Sequence, residues 1–152
     1  LNDASTAFGN ISSTTIGNCT VTSVTGETSG CAKSGSPDDP MYLENDGNVN
    51  ASVTVNSTKD IFVNSFNLGI FGQQRFKATD GQESGPSIAC AGSINSTYVI
   101  LPNASQTPTA LCTNMRFEDD RDLLRIDYNV TISSDLLPGN QTENVTFWAT
   151  IA

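Results

Sequence analysis

Leu124-Arg125-Ile126-Asp127-Tyr128-Asn129-Val130-Thr131-Ile132 alternates without a break between apolar and polar side chains. Leu124, Ile126, Tyr128, Val130 and Ile132 share one parity, and Arg125, Asp127, Asn129 and Thr131 share the other. Successive side chains on a strand leave opposite faces of a sheet, so this period of two predicts a strand with one buried face and one wet face. Antiparallel sheets produce that pattern, because only one of their faces must meet a core. Two further segments repeat it. Val49, Ala51, Val53 and Val55 oppose Asn50, Ser52, Thr54 and Asn56, and Val145, Phe147, Ala149 and Ile151 oppose Asn144, Thr146, Trp148 and Thr150.

Weaker strands are expected at residues 19–25, 41–44, 61–63, 66–71 and 98–101. Turn-forming residues separate them: Thr25-Gly26, residues 30–40, Asn45-Asp46-Gly47-Asn48, residues 80–86, and Leu137-Pro138-Gly139-Asn140. No segment of ten or more residues keeps a helical period. Short alternating strands at this spacing point to an all-β chain, a jelly-roll-like antiparallel β-sandwich. The 152 residues suit one domain, with no linker or internal repeat.

Composition excludes several functions. Charged residues reach 15%, well below the usual quarter, and 17 Ser and 18 Thr make the surface neutral-polar. A net charge of −9, with 7 basic residues, leaves no cationic footprint for nucleic acid or an anionic membrane. No apolar run reaches half of the roughly 20 residues that span a bilayer. The chain starts at Leu1 without a charged or apolar leader, so it reads as a mature protein exported by a cleaved signal peptide. Histidine is absent, which removes Ser-His-Asp and Cys-His catalysis, His-ligated zinc and HExxH. No pair of carboxylates is singled out for glycosidase chemistry. The chain reads as a non-enzyme.

Nine of 15 asparagines begin Asn-x-Ser/Thr: Asn10, Asn18, Asn50, Asn56, Asn95, Asn103, Asn129, Asn140 and Asn144. Random placement of the Ser and Thr would give about 3.5 such sites. The excess predicts dense N-glycosylation of an extracellular, surface-exposed protein. Asn50, Asn56, Asn129 and Asn144 all fall on polar strand faces, where a glycan has room. The four cysteines allow three connectivities. Cys19–Cys31 and Cys90–Cys112 are favoured, because each pair brackets a Gly/Ser/Pro-rich loop. No CxxC spacing supports a four-thiolate zinc site, so no metal and no cofactor is expected.

Residues 1–16 stand apart from residues 17–152. The first 17 residues hold a single charged side chain, Asp3, and many small or β-branched ones, including Ala4, Thr6, Phe8, Ile11 and Ile16. Their apolar side chains do not keep to one parity, so a strand built from them belongs between two layers. Such a segment suits donation into a neighbouring subunit, and the ordinary alternative is a first strand paired within its own domain. Glu118-Asp119-Asp120-Arg121-Asp122 supplies Ca²⁺-type ligands but lacks the spacing of a binding loop, so it reads first as a solvated turn. Asp38-Asp39-Pro40 is a weaker case of the same kind. Arg116, Arg121 and Arg125 are expected to pair with the acids beside them. Trp148, on the polar side of the last strand, marks a subunit contact ahead of a sugar-stacking platform or a shielded ring.

Three motifs together carry a resemblance. Met41-Tyr42-Leu43-Glu44-Asn45-Asp46-Gly47-Asn48-Val49 leads into Val53-Thr54-Val55. Ile126-Asp127-Tyr128-Asn129-Val130-Thr131-Ile132 is followed by Leu137-Pro138-Gly139. The chain then closes on Asn144-Val145-Thr146-Phe147-Trp148-Ala149-Thr150-Ile151. From Met41 onward this resembles the TasA/camelysin-like family of biofilm-fibre subunits and the related archaeal bundling pilins. The resemblance implies a jelly roll whose N-terminal strand completes the sheet of the next subunit, so that the chain polymerises with itself. It also implies possible lateral bundling of fibres. The donor role falls on residues 1–16. Four cysteines and nine sequons exceed what bacterial members lead one to expect and point to an archaeal cell surface. Type IV pilins and archaellins need a long apolar N-terminal helix, which this chain lacks. The expected function is a structural subunit of an extracellular filament. The alternative is a monomeric glycosylated adhesin or cell-surface-layer binding domain.

Overall fold

The computed structural model describes residues 10–13, 18–24, 28–34, 40–57, 73–81, 88–103, 105–133 and 144–152, with backbone alone at 10–13, 18, 19, 28, 33, 73 and 133. The described residues form strands and no helix. In chain order these are β1 (Asn10–Ser13), β2 (Asn18–Thr22), β3 (Thr28–Ser29), β4 (Cys31–Ser34), β5 (Met41–Glu44) and β6 (Ala51–Ser57). Then come β7 (Gln73–Asp80), β8 (Val99–Ile100), β9 (Thr109–Met115), β10 (Leu123–Ser133) and β11 (Val145–Ile151). All pairings are antiparallel.

The strand that opened the sequence reading organises the larger sheet. One edge of β10 pairs with β7, from Leu124↔Asp80 to Thr131↔Gln73. Its other edge is shared between β5, opposite Leu123 to Ile126, and β2, opposite Asn129 to Ser133. Ser23 fills the gap between them: its N–H donates to the Tyr128 carbonyl at 2.8 Å, and its hydroxyl accepts the Tyr128 N–H at 2.9 Å. The resulting order is β3-β2-β10-β7-β8, with β5 also on β10. A second sheet has the order β11-β6-β9.

The inward faces of the two sheets meet in one core. Leu124, Ile126 and Tyr128 of β10 pack with Phe76 and Ala78 of β7, Val53 and Val55 of β6, and Leu111 and Met115 of β9. Each large apolar side chain buried there contributes about 1.5–3 kcal/mol, and a one-residue slip of β10 would turn its whole row outward. Cys90 and Cys112 are joined in this core with Cα atoms 5.8 Å apart, as the bracketing of their loop predicts. The fold is an antiparallel β-sandwich.

β1 and β4 form a separate two-stranded sheet, Asn10↔Ser34 to Ser13↔Cys31. Gly30, at φ 71°, turns the chain from β3 in the larger sheet into β4 in the smaller one, a conformation a Cβ would strain. Val21, Cys31 and Ile132 make a small cluster beneath it. Cys31 is disulfide-bonded, and the side chain of Cys19, its expected partner, lies outside the described residues.

Several expectations are corrected. β4 lies inside the stretch 30–40 expected as a turn, where pairing with β1 overrides the turn-forming composition. β2 ends at Thr22 rather than 25, because Ser23 leaves the ladder to meet Tyr128. β7 and β9 were not anticipated. Val49 is 44% exposed, since it precedes β6 in a bend held by Asn45. Ala149 and Ile151 share the parity of the core face but are exposed, although Val53 opposite Ala149 is buried, because β11 is the edge strand of its sheet and the core does not reach under its C-terminal half. The strands expected at 61–63 and 66–71 lie outside the described residues.

Candidate functional site

The three-stranded sheet β11-β6-β9 has two surfaces of interest: its outward face and the edge at β11. β11 and β6 pair without slip from Val145↔Ser57 to Ile151↔Ala51. The Ala152 N–H continues this ladder to the Asn50 carbonyl at 3.0 Å. Opposite residues in an antiparallel ladder alternate between bonded and non-bonded pairs. Counting from that bond, Thr146, Trp148 and Thr150 exchange bonds with β6. Val145, Phe147, Ala149 and Ile151 therefore aim their N–H and C=O groups away from β6. Among the described residues, β6 is the only strand that β11 pairs with.

The same four residues lie on the core side of the sheet. Val145 and Phe147 pack against the core while remaining partly exposed. Further along, Ala149 is exposed and Ile151 is 81% exposed. The edge thus presents a row of backbone donors and acceptors beside an apolar strip that the chain's own described residues leave uncovered. The far edge, β9, differs, because residues 89–95 lie along it through the bridges Cys90↔Met115 and Ile94↔Cys112.

On the outward face, Trp148 is directly opposite Thr54, and Thr146 is opposite Asn56. Trp148 is 54% exposed, and its indole N–H donates to Asn56 Oδ1 at 3.1 Å. Asn50 and Asn144 flank the same two strands, and Asn144 is exposed. Asn129 is half-buried on the outward row of β10. The hydroxyl of its sequon residue, Thr131, shares a 3.1 Å hydrogen bond with Thr20, the hydroxyl residue of the Asn18 sequon. Asn103 Oδ1 accepts from Ser105 N–H at 3.0 Å and from the Ser105 hydroxyl at 2.7 Å, folding that sequon on itself. Asn95 is different: its Nδ2 donates inward to the Ala110 carbonyl at 2.6 Å. Asn140 and the side chains of Asn10 and Asn18 lie outside the described residues.

The N-terminal segment is described only in part. Residues 10–13 pair as β1 with β4 of the same chain, the ordinary role of a first strand. Ala4, Thr6, Phe8 and Ile16 lie outside the described residues, as does the side chain of Ile11.

The acidic run divides into two environments. Glu118, Asp119 and Asp120 are exposed in a turn, while Asp122 is buried. Burial raises the Asp122 carboxyl above its ordinary range. The carboxylates of Glu44, Asp119 and Asp46 push it the same way, and a hydrogen bond from its own backbone opposes them. Among the described residues, no three acidic or sulfur side chains converge as a metal site. The arginines bear out their expected pairing only in part. Arg121 meets Asp120 at 3.6 Å on the surface, whereas Arg125 pairs at 3.0 Å with Asp127 on its own strand. Arg116 has no ion pair among the described residues, and its buried Nε finds no partner there. Asp127 is buried despite its polar parity, because Arg125 and Lys77 flank it on the outward face of the larger sheet. The Lys77 ammonium also lies 4.8 Å from the Tyr98 ring centroid.

Sequence reasoning missed two contacts. The Asn56–Trp148 contact depends on cross-strand register, which no single segment encodes. Asn45 was read as a turn residue, but its Nδ2 also donates to the Arg116 carbonyl at 3.0 Å, tying the turn to the end of β9. Among the described residues, no helix is long and apolar enough to cross a membrane. Comparison with protein-family models, curated proteins and solved structures finds no match.

Proposed function

We propose that this chain is the structural subunit of an extracellular, glycosylated filament of the pilus or biofilm-fibre type. It polymerises head to tail, with residues 1–16 of one subunit completing the sandwich of the next as a jelly roll. The observation that carries the reading is the β11 edge. Its outward-aimed backbone groups and the uncovered strip from Val145 to Ile151 are what an added strand would satisfy. A head-to-tail contact of this kind does not close on itself and yields an open fibre. β1 belongs to the satellite sheet with β4, so releasing the N-terminal segment to a neighbour leaves both principal sheets paired. The sequon faces stand perpendicular to the edge, so glycans there leave strand addition free. They would keep the fibre soluble at a cell surface, archaeal by the family resemblance, and leave lateral bundling to the remaining surface.

Deleting residues 1–16 tests this reading. The truncated protein is expected to be a soluble β domain that no longer sediments as polymer, and Phe8→Asp in the full chain should act in the same direction by placing a charge in the groove. Fibres formed by either variant would contradict donor-strand assembly. The exposed Trp148 favours a second reading, a monomeric adhesin binding sugar. That protein would need Trp148 and not residues 1–16.

A further inference from the structure

We propose that Trp148 is a carbohydrate-binding side chain whose occupant is the chain's own glycan, attached at Asn56. The inference rests on the glycoprotein reading and deepens it at one site. Asn56 and Trp148 stand on the same outward face of paired strands, one diagonal step apart, a separation that aromatic side chains reach. The indole N–H bonds to Oδ1 of Asn56, which orients the carboxamide. Among the described residues, Nδ2 of Asn56 makes no hydrogen bond, in contrast to the inward-bonded Nδ2 of Asn95.

N-glycosylation uses that free nitrogen. Nδ2 bonds to the anomeric carbon of a lipid-diphosphate-linked sugar, the carbon–oxygen bond to the diphosphate breaks, and nitrogen loses one proton. Oδ1 is untouched and continues to accept from Trp148. The first sugar then projects from Nδ2 beside the indole, whose electron-rich face attracts the C–H groups of a pyranose ring. Thr54 and Thr146, opposite Trp148 and Asn56 on this face, supply hydroxyls along the rim. The arrangement accounts for a tryptophan 54% exposed on an otherwise polar face.

Trp148 is the chain's single tryptophan, so fluorescence excited selectively in tryptophan, at wavelengths the three tyrosines do not absorb, reports on it alone. The test uses full-length protein from its native source, with glycopeptide mapping of each sequon and acrylamide quenching before and after enzymatic deglycosylation. The proposal expects Asn56 to be occupied and quenching to rise when the glycan covering the ring is removed. It also expects nuclear Overhauser contacts between indole protons and the first sugar. Asn56→Gln should quench like the deglycosylated protein, whereas Asn144→Gln should not. An occupied Asn56 with unchanged quenching overturns the proposal, as does a bare Asn56 with glycans at other sequons. Protection that grows with protein concentration and survives deglycosylation assigns Trp148 to a subunit contact and also overturns it. A chain bare at every sequon removes the glycoprotein reading itself.

Discussion

At the residue scale, Asp122 shows how a local sequence pattern hides two chemistries. Its neighbours Asp119 and Asp120 are solvated, while it is drawn inside by the start of β10. Burial pushes its carboxyl above the ordinary value of 3.8, so protonation is favoured more in the folded state than in the unfolded chain. The contribution to stability is complete below the unfolded value and is lost as pH rises through the folded one. Asp122→Asn is therefore expected to be more stable than the parent at neutral pH, with the difference vanishing as pH falls below the ordinary aspartate range. Urea unfolding of both proteins between acid and neutral pH checks this. A variant less stable than the parent at neutral pH would show that the carboxylate is held by favourable bonds outweighing its burial.

At the element scale, legibility followed strand type. β10 was read correctly from its own residues because each inward position is large and apolar and each outward one polar. β7 was missed because Phe76 and Ala78 are its only inward apolar residues among Gln, Arg, Lys and Thr. Pairing with β10 makes it a strand. β9 was missed because the slips at Ala51/Val53 and Val53/Thr54 break its alternation, leaving Leu111 and Cys112 adjacent and both buried. The uncovered end of β11 was invisible because alternation reports which side faces a core, not how far the core extends. That end gives a sharp test. Ala149 directs its N–H away from β6, so Ala149→Pro deletes a donor for strand addition without deleting a β6 ladder bond. The variant is expected to keep its fold, with stability changed by less than about 1 kcal/mol, and to lose polymer in sedimentation. Wild-type polymerisation by this variant would exclude the β11 edge as the receiving site.

At the scale of the whole molecule, the described residues combine a buried sandwich core, a sequon-bearing outward face and a β11 edge that pairs only with β6, which the proposed reading assigns to stability, solubility and assembly. The disulfide at Cys90–Cys112 closes a 22-residue separation within the core and contributes about 3 kcal/mol in the chain-entropy model. Neither half of that disulfide lies in residues 1–16. The sandwich class and this disulfide were legible in the sequence. The β11 edge and the Asn56–Trp148 contact were not, because both arise only when distant strands are laid side by side. Electron microscopy of the full-length protein in negative stain, across a concentration series, tests the central claim most directly. Unbranched fibres of uniform width, growing in number with concentration, are the predicted result. Monodisperse particles at every concentration would contradict it.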